Sequence, residues 1–211
     1  MGFILQERDK LILQQVTKYR FLLSRQIKIL CNFSGQRSCD RRTKKLCDEG
    51  LLEKKHFLYG VPALYLVTEK AKRIFDLGYI TKNIRVEYIK HDILVIDTAI
   101  YLNKKFGIPL ENIKSERQIK HGLGFGNPKH VPDLLYKDNN KTYCVEIELS
   151  VKTYKNLENN VRLNSRNYNK EIWYIDTTKT KLVENLDKLK IIFGKVVVID
   201  INEVIEYVKT L

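Results

Sequence analysis

Apolar side chains recur at helical spacing through the first part of the chain, and two short extended runs follow them. In the first segment, Leu11, Ile12, Val16 and Tyr19 are apolar residues at near-helical spacing. Ser24 and Thr68 stand where helix N-caps are expected, and Gly50 stands where a left-handed cap ends a helix. The pattern predicts helices over residues 6–19, 24–31, 36–48 and 69–77, and strands over residues 51–55 and 63–68.

The helix predicted over residues 36–48 has one apolar side and one strongly polar side. Cys39, Thr43 and Leu46 share the side that can pack inward. The opposite side carries Gln36, Arg37, Asp40, Arg41, Lys44 and Lys45. A helix of this kind fits the major groove of DNA, where Arg and Gln reach base edges and Lys contacts phosphates.

Three short helices, a hairpin and a closing helix are the element order of a winged helix-turn-helix. We therefore expect residues 1–80 to form such a domain and to bind double-stranded DNA. The alternatives are that the charged side is only solvated, or that the domain docks another protein. The residues predicted to contact DNA are Gln36, Arg37, Arg41, Lys44 and Lys45 on the third helix, with Lys54 and Lys55 in the wing.

Two segments of this region resemble a signature of bacterial winged-helix DNA-binding proteins. The first is RRTKKLCDEGLL at residues 41–52, which contains the pattern LxxxGLL. The second is YLVTEKA at residues 65–71, which is similar to the pattern YxLTxxG. The resemblance implies the same fold and the same DNA-binding role for residues 1–80.

The positive charge of the chain is concentrated in its N-terminal part. The whole chain has 38 Lys and Arg against 25 Asp and Glu, a net charge of +13. Residues 1–85 hold 18 of the basic and 8 of the acidic residues, whereas residues 86–211 hold 20 and 17. An excess confined to one part is typical of a polyanion-binding module joined to a more neutral one.

A second pattern of buried and alternating positions covers residues 86–211. It predicts helices over residues 88–106, 154–168 and 202–210, and strands over residues 113–119, 131–136, 142–149, 171–175 and 195–199. Residues 121–128 are expected to form a flexible, glycine-containing loop, and the flanking His121 and His130 are either phosphate contacts or simply exposed. This order predicts a mixed α/β domain, so the chain as a whole is expected to be a two-domain α/β protein.

Strand alternation brings acidic side chains together in this second domain. Glu146 and Glu148 share one face of the strand over 142–149, and Asp133 on the paired strand adds a third carboxylate. Carboxylates this close repel one another unless a cation or a proton lies between them. With Lys152 just beyond, the pattern predicts a site where Asp133 and Glu146 bind Mg²⁺ or Mn²⁺. The alternative is a sheet whose acidic residues pair with nearby Lys and Arg.

The sequence PD at residues 132–133, followed by EIE at residues 146–148, resembles the core motif of the PD-(D/E)xK nuclease superfamily. Glu148 stands where the superfamily usually has lysine, and Lys152 is a candidate to take that place from the start of the next helix. Glu116 matches the acidic residue that usually precedes the motif. The resemblance implies a PD-(D/E)xK-like α/β fold for residues 86–211.

The same resemblance implies catalytic roles for five residues. Asp133 and Glu146 would hold a divalent ion that polarises the scissile phosphate. Glu148 or Lys152 would orient or deprotonate the attacking water, and Glu116 would help to hold a second ion. Many members of this fold have lost catalysis, so an active nuclease and an inactive scaffold both stay open.

The order of motifs along the chain is similar to that of the replication-relaxation family, which is encoded on Gram-positive plasmids and integrated conjugative elements. After the N-terminal domain come KHDI at residues 90–93, SER at 115–117, VPD at 131–133, VEIELSVK at 145–152 and IWY at 172–174. The resemblance implies a DNA-binding protein of a mobile element that acts in plasmid replication or mobilisation. A relaxase or a replication initiator is the kind of partner it implies.

Two other functions are open at this point. One is an active Mg²⁺- or Mn²⁺-dependent DNA endonuclease targeted by the winged helix, and the other is a transcriptional regulator whose C-terminal domain forms a homodimer. The chain contains no apolar run long enough to span a bilayer, so no membrane association is expected. Its four cysteines form no CxxC pair, and we expect them to be buried free thiols in the cytoplasm.

Overall fold

A computed structural model defines the fold and describes residues 3–78, 80–81, 83–124 and 130–211. The chain is mixed α/β, as the sequence predicts. It divides into two compact units, Met1–Ile96 and Asp97–Leu211, and the division falls within one long helix. Among the described residues, no helix combines the length and the apolar character needed to cross a membrane.

The first unit consists of helices and a small antiparallel sheet. Its elements are α1 (Glu7–Tyr19), β1 (Leu22–Leu23), α2 (Ser24–Leu30), α3 (Gln36–Asp48), β2 (Leu52–Lys55), β3 (Leu64–Val67), α4 (Glu69–Phe75), a 3₁₀ turn (Val86–Tyr88) and the first part of α5 (Ile89–Phe106). The strand order is β1-β3-β2, with Leu22 opposite Tyr65 and Leu52 opposite Val67. The predicted helices and strands of this region are confirmed, and β1 is an addition too short for alternation to show.

Local signals explain where these elements begin and end. Thr68 Oγ1 accepts a hydrogen bond from the Ala71 N–H at 3.2 Å, which starts α4. Gly50 follows α3 with a φ of +66°, a conformation that glycine adopts without strain. The Leu51 N–H then returns to the Leu46 carbonyl at 2.8 Å and closes the end of the helix.

A buried ion pair joins α1 to α3. Asp9 has no exposure to solvent, and its carboxylate accepts hydrogen bonds from two nitrogens of Arg42, one of them Nε at 2.6 Å. The backbone N–H of Gln6 donates to the same carboxylate at 2.7 Å, and Arg42 also donates to the Ile4 carbonyl at 2.9 Å. These bonds satisfy both charges inside the unit and hold α3 against the start of α1.

The second unit is built on one five-stranded sheet. After the remainder of α5 come a 3₁₀ turn (Leu110–Asn112), β4 (Ile113–Ser115), α6 (Glu116–Leu123), β5 (Leu134–Asp138), β6 (Lys141–Glu148), α7 (Tyr154–Asn167), β7 (Lys170–Ile175), α8 (Thr180–Phe193), β8 (Val196–Asp200) and α9 (Ile201–Lys209). The order is β4-β5-β6-β7-β8, antiparallel from β4 to β6 and parallel from β6 to β8. The hairpin between β5 and β6 turns at Asn139 and Asn140, both with positive φ.

Two predicted strands of this unit are wrong in their extent. The strand expected over residues 131–136 runs from Leu134 to Asp138, so Asp133 comes just before it. The strand expected over residues 113–119 ends at Ser115, and Glu116 begins α6. Ser115 and Gln118 cap each other's backbone N–H groups, which favours a helix at this point. The loop expected over residues 121–128 also starts later, because residues 121–123 belong to α6 and Gly124 ends it. The rest of that predicted loop, residues 125–128, lies outside the described residues.

The acidic residues of β6 lie on the face of the sheet that α7 and α8 cover. Glu146 is the register neighbour of Trp173 on β7, and Trp173 packs into the apolar cluster that these two helices form with the sheet. Alternation then places Cys144, Glu146 and Glu148 together, as predicted. The cluster contains Leu157, Val161, Trp173, Ile175, Leu182, Leu186, Leu189 and Val196.

We expect Asp9→Ala to lower the free energy of unfolding of the first unit by about 3 kcal/mol, because it leaves the Arg42 charge buried without a partner. Urea unfolding followed by circular dichroism measures the change. The matched control is Glu7→Ala, which removes the exposed partner of Lys10 at 2.8 Å and should cost less than about 1 kcal/mol. Equal losses in the two variants would contradict the role given to the buried pair.

Candidate functional site

The outward side of α3 carries a row of exposed cations. Arg37, Arg41, Lys44 and Lys45 are all exposed. None of the four forms an ion pair with another residue in the described part of the chain. Four like charges on one helix side repel each other, and the exposed Asp40 on α3 offsets only part of that charge. The side is therefore suited to an external anion.

Gln36 differs from its neighbours because its amide has partners within the protein. Its Nε2 atom donates to Ser24 Oγ at 2.6 Å and to Asp40 Oδ1 at 2.8 Å. Ser24 also donates to Asp40, so the three side chains connect the start of α2 to the start of α3. The structure thus gives Gln36 and Asp40 a local structural role at the edge of the cationic row.

The strand β2 continues the positive charge beyond α3. Lys54 is exposed, and its ammonium lies 5.9 Å from the centre of the Tyr65 ring. Burial raises the pKa of Cys47 on α3, and the charge of Lys54 opposes that rise, so Lys54 lies close to α3. Lys55 is also exposed but pairs with Glu53 at 2.8 Å. We call Arg37, Arg41, Lys44, Lys45 and Lys54 the basic surface.

A second candidate site surrounds Glu146 in the second unit. The Glu146 carboxylate is buried, and its Oε1 atom accepts hydrogen bonds from His130 Nε2 at 2.5 Å and Asn164 Nδ2 at 2.8 Å. Burial raises the pKa of Glu146, the bond from His130 opposes the rise, and the charge of Asp133 adds to it. Burial lowers the pKa of His130, but the hydrogen bond to Glu146 and the negative charges of Glu146 and Asp133 together raise it above its ordinary value. The protonation of each of the two groups therefore depends on that of the other.

The structure brings Asp133, Glu148 and Lys152 to the same place. Asp133 Oδ2 accepts the backbone N–H of Ile147 at 2.8 Å. Glu148 Oε1 accepts the N–H and the hydroxyl of Ser150 at 2.9 and 2.7 Å, and Glu148 Oε2 pairs with Lys152 Nζ at 2.6 Å. Burial lowers the pKa of Lys152, but the bond to Glu148 and the charges of the nearby acids raise it above the usual value. We call Asp133, Glu146, Glu148, His130 and Lys152 the acidic cluster.

Glu116, the acidic residue expected to precede the motif, lies at the start of α6. Its carboxylate forms an ion pair with Lys120 one turn further along that helix. Its backbone N–H donates to the Asp133 carbonyl at 2.9 Å. Glu116 is therefore a neighbour of the acidic cluster through the backbone, and its charge is matched by Lys120.

The oxygens of the acidic cluster do not by themselves make a metal centre. In the part of the chain that the structure describes, no group of three or more His, Cys, Asp or Glu side chains is arranged to hold an ion. The carboxylates of Glu146 and Glu148 are bonded to His130 and Lys152, which already supply positive charge. The predicted pair of ligands, Asp133 and Glu146, would supply only part of the six-oxygen shell of Mg²⁺, and water or a substrate phosphate would supply the rest.

Three residues of this region were missed as site residues by the sequence pattern. His130 was expected to contact DNA or to be exposed, but it is half-buried against Glu146. Asn164 follows Leu157 and Val161 on the buried side of α7, and a polar residue on an otherwise apolar helix side was a signal that pointed to it. Glu171 alternates with Trp173 on the buried face of β7, which was a similar signal.

Glu171 is a fully buried carboxyl group with incomplete hydrogen bonding. Trp173 Nε1 donates to its Oε2 atom at 3.2 Å, whereas its Oε1 atom has no hydrogen-bond partner in the part of the chain that the structure describes. Burial raises the pKa of Glu171 to about 7, the bonds from Trp173 and Asn164 oppose the rise, and the charge of Glu146 adds to it. The group therefore carries a proton over much of the range in which an ordinary Glu is ionised.

Comparisons of the chain with protein-family models, with curated proteins and with solved structures give no match. What is known of the two sites therefore comes from their own geometry and charge.

Glu171→Gln should stabilise the protein at about pH 8, by roughly 2–3 kcal/mol, with the gain vanishing towards about pH 4. The folded-state pKa of Glu171, about 7, exceeds the unfolded value, so wild-type stability falls as pH rises through that window and then levels off. Thermal unfolding across a pH series measures the difference. The matched control is Glu184→Gln on α8, an exposed site that should show no such pH-dependent gain.

Proposed function

We propose that this chain binds double-stranded DNA through α3 and the β2–β3 hairpin, and that the first unit is a winged helix-turn-helix. The observation that carries the proposal is the basic surface itself. Four cations with no ion-pair partner among the described residues lie on the outward side of α3, and Lys54 extends the charge onto the next strand. DNA presents a dense row of phosphates, and the release of its counterions gives such a surface its affinity.

The element order of the first unit supports this proposal. The helices α1, α2 and α3 are followed by a hairpin, and β1 joins that hairpin as a third antiparallel strand. In a winged helix-turn-helix, the third helix enters the major groove and the hairpin contacts the neighbouring backbone. In this reading Arg37 reaches base edges, whereas Arg41, Lys44, Lys45 and Lys54 contact phosphates.

The second unit supports the wider proposal of a mobile-element protein with a nuclease-like domain. Its strands run antiparallel from β4 to β6 and parallel from β6 to β7, with α7 as the crossover between β6 and β7. This is the arrangement expected of a PD-(D/E)xK-like fold. We propose that the first unit binds DNA and so brings the second unit to it during plasmid replication or mobilisation. A relaxase or a replication initiator is the proposed protein partner.

The double variant Arg41→Ala/Lys44→Ala should weaken binding to a short DNA duplex and lower the slope of log affinity against log salt concentration by about 2. Each lost phosphate contact releases about one fewer counterion on binding. Fluorescence anisotropy over a salt series measures both quantities. The matched control, Lys181→Ala/Lys188→Ala, removes the same charge from exposed positions on α8 and should leave the slope unchanged. Equal slopes for the two double variants would contradict the assignment of α3 as the helix that contacts DNA.

A second candidate function is metal-dependent cleavage of DNA at the acidic cluster. The observation that favours it is the ion pair between Lys152 and Glu148, at 2.6 Å. Glu148 stands where the nuclease motif has lysine, so Lys152 brings a lysine ammonium to that position. Mg²⁺ is often held by one or two carboxylates completed by substrate phosphates and water, so Asp133 and Glu146 would act as ligands only with DNA present.

If the second candidate is right, wild-type protein nicks supercoiled plasmid in Mg²⁺ or Mn²⁺, and Asp133→Ala and Glu146→Ala each reduce the rate at least about 100-fold. Agarose-gel electrophoresis of the plasmid over time gives the rates. Asp187→Ala, an exposed acid on α8, serves as the control and should keep wild-type activity. Absence of nicking by the wild type rules the candidate out, and nicking retained by both variants identifies a contaminating enzyme.

A further inference from the structure

An open cleft of about 270 Å³ lies in the first unit between α3 and the start of α1. Its walls include an amide, an aromatic ring and four cationic side chains. These residues are Gln6, Arg8, Phe33, Arg41, Arg42 and Lys45. No acidic side chain contributes to the lining, so the cleft is a candidate site for an anion.

Three of the four cations at the cleft have no acidic partner in the described part of the chain. The Arg8 guanidinium lies over the Phe33 ring, 4.6 Å from its centre, and makes no ion pair. Arg41 and Lys45 are exposed and are likewise unpaired. The charge of Arg42 is matched by the buried Asp9, so Arg42 contributes structure to the cleft and no net charge.

The contact between Arg8 and Phe33 prepares one of these cations for binding. An aromatic face attracts a guanidinium and restricts its position, so less freedom is lost when an anion arrives. The planar guanidinium also presents paired N–H donors that match the oxygens of a phosphate group. Arg8 belongs to α1 and was not among the residues that the sequence pattern singled out.

The cleft opens at the edge of the basic surface. Arg41 and Lys45 are four residues apart on α3, so they occupy one side of the helix, and both belong to the basic surface as well as to the cleft. A helix in the major groove has a phosphate backbone on each flank. The flank of α3 that faces α1 therefore brings the cleft to one of the two strands.

We infer that this cleft holds one phosphate group of the DNA backbone while α3 lies in the major groove, with Arg8, Arg41 and Lys45 as its ligands. The inference rests on the proposed function and adds a residue of α1 to the DNA contacts. Phosphate contacts fix the orientation of a protein on the duplex and carry no sequence information directly. Arg8 thus sets how α3 lies in the groove and does not read a base.

The same chemistry would also suit the phosphate of a small molecule. The two sources differ in whether α3 takes part in binding. DNA contacts the basic surface of α3 while one of its phosphates occupies the cleft. A free phosphate compound would engage the cleft alone. Inorganic pyrophosphate is therefore used as the probe for the second source.

The test measures duplex binding of the full chain by fluorescence anisotropy over a salt series, for wild type, Arg8→Gln and Lys10→Gln. Lys10 lies on the same helix and carries the same charge, but it pairs with Glu7 and does not line the cleft. We expect Arg8→Gln to weaken binding on the order of tenfold and to lower the salt slope by about 1, whereas Lys10→Gln leaves the slope unchanged. Isothermal titration of the wild type and of Arg8→Gln with pyrophosphate completes the experiment.

Each outcome has a distinct meaning. If the wild type binds duplex and Arg8→Gln behaves like Lys10→Gln, the inference is overturned and the proposed function stands. If in that case pyrophosphate binds the wild type saturably and Arg8→Gln abolishes that binding, the cleft serves a free phosphate compound. If the wild type binds no duplex, the proposed function and the inference fail together.

Discussion

Asp9 carries a negative charge into a part of the first unit that solvent does not reach, and Arg42 supplies the opposite charge that makes this burial tolerable. Because Arg42 lies on α3, the pair restrains the rotation of that helix about its own axis. Cys39 and Leu46 then face the core. The cations on the opposite side of α3 then face solvent. The positive charge of the basic surface therefore depends on the buried pair of Asp9 and Arg42.

The second unit also buries carboxylates, and it supplies their partners from several segments instead of from one arginine. Strand alternation carries Glu146 and Glu148 beneath α7, where ionised carboxylates are costly. His130 and Lys152 supply charge, and Asn164 supplies a donor, so that the acids keep partners after burial. A ligand that binds the carboxylates of Glu146 and Glu148 must therefore displace protein partners that these groups already have.

The sequence was most informative about features set within one segment, namely the periodicity of its apolar residues and the residues that cap its helices. Helical spacing predicted α1, α3 and α5 closely, and the exposure of Arg41 and Lys44 followed from the same spacing. The error at residues 113–119 arose from giving apolar character more weight than the Ser115–Gln118 capping pair, which the sequence also contains.

The rest of the candidate site depends on contacts between distant segments. No periodicity shows that His130 bonds to a residue sixteen positions away, or that Asn164 crosses from α7 to the same carboxylate. The cleft is a further case, because Arg8 and Phe33 meet only after α1 has packed against the turn between α2 and α3. Such contacts arise from the tertiary fold, whereas spacing reports only on the secondary structure of each segment.

The parallel pairing of β6, β7 and β8 has a consequence for how the chain folds during synthesis. Each parallel neighbour can be added only after a whole crossover helix, α7 or α8, has been made. The sheet of the first unit is complete at residue 67, whereas that of the second needs residues up to 200. Pairing of distant strands is slow, so the N-terminal unit is expected to be folded while the ribosome is still extending the other.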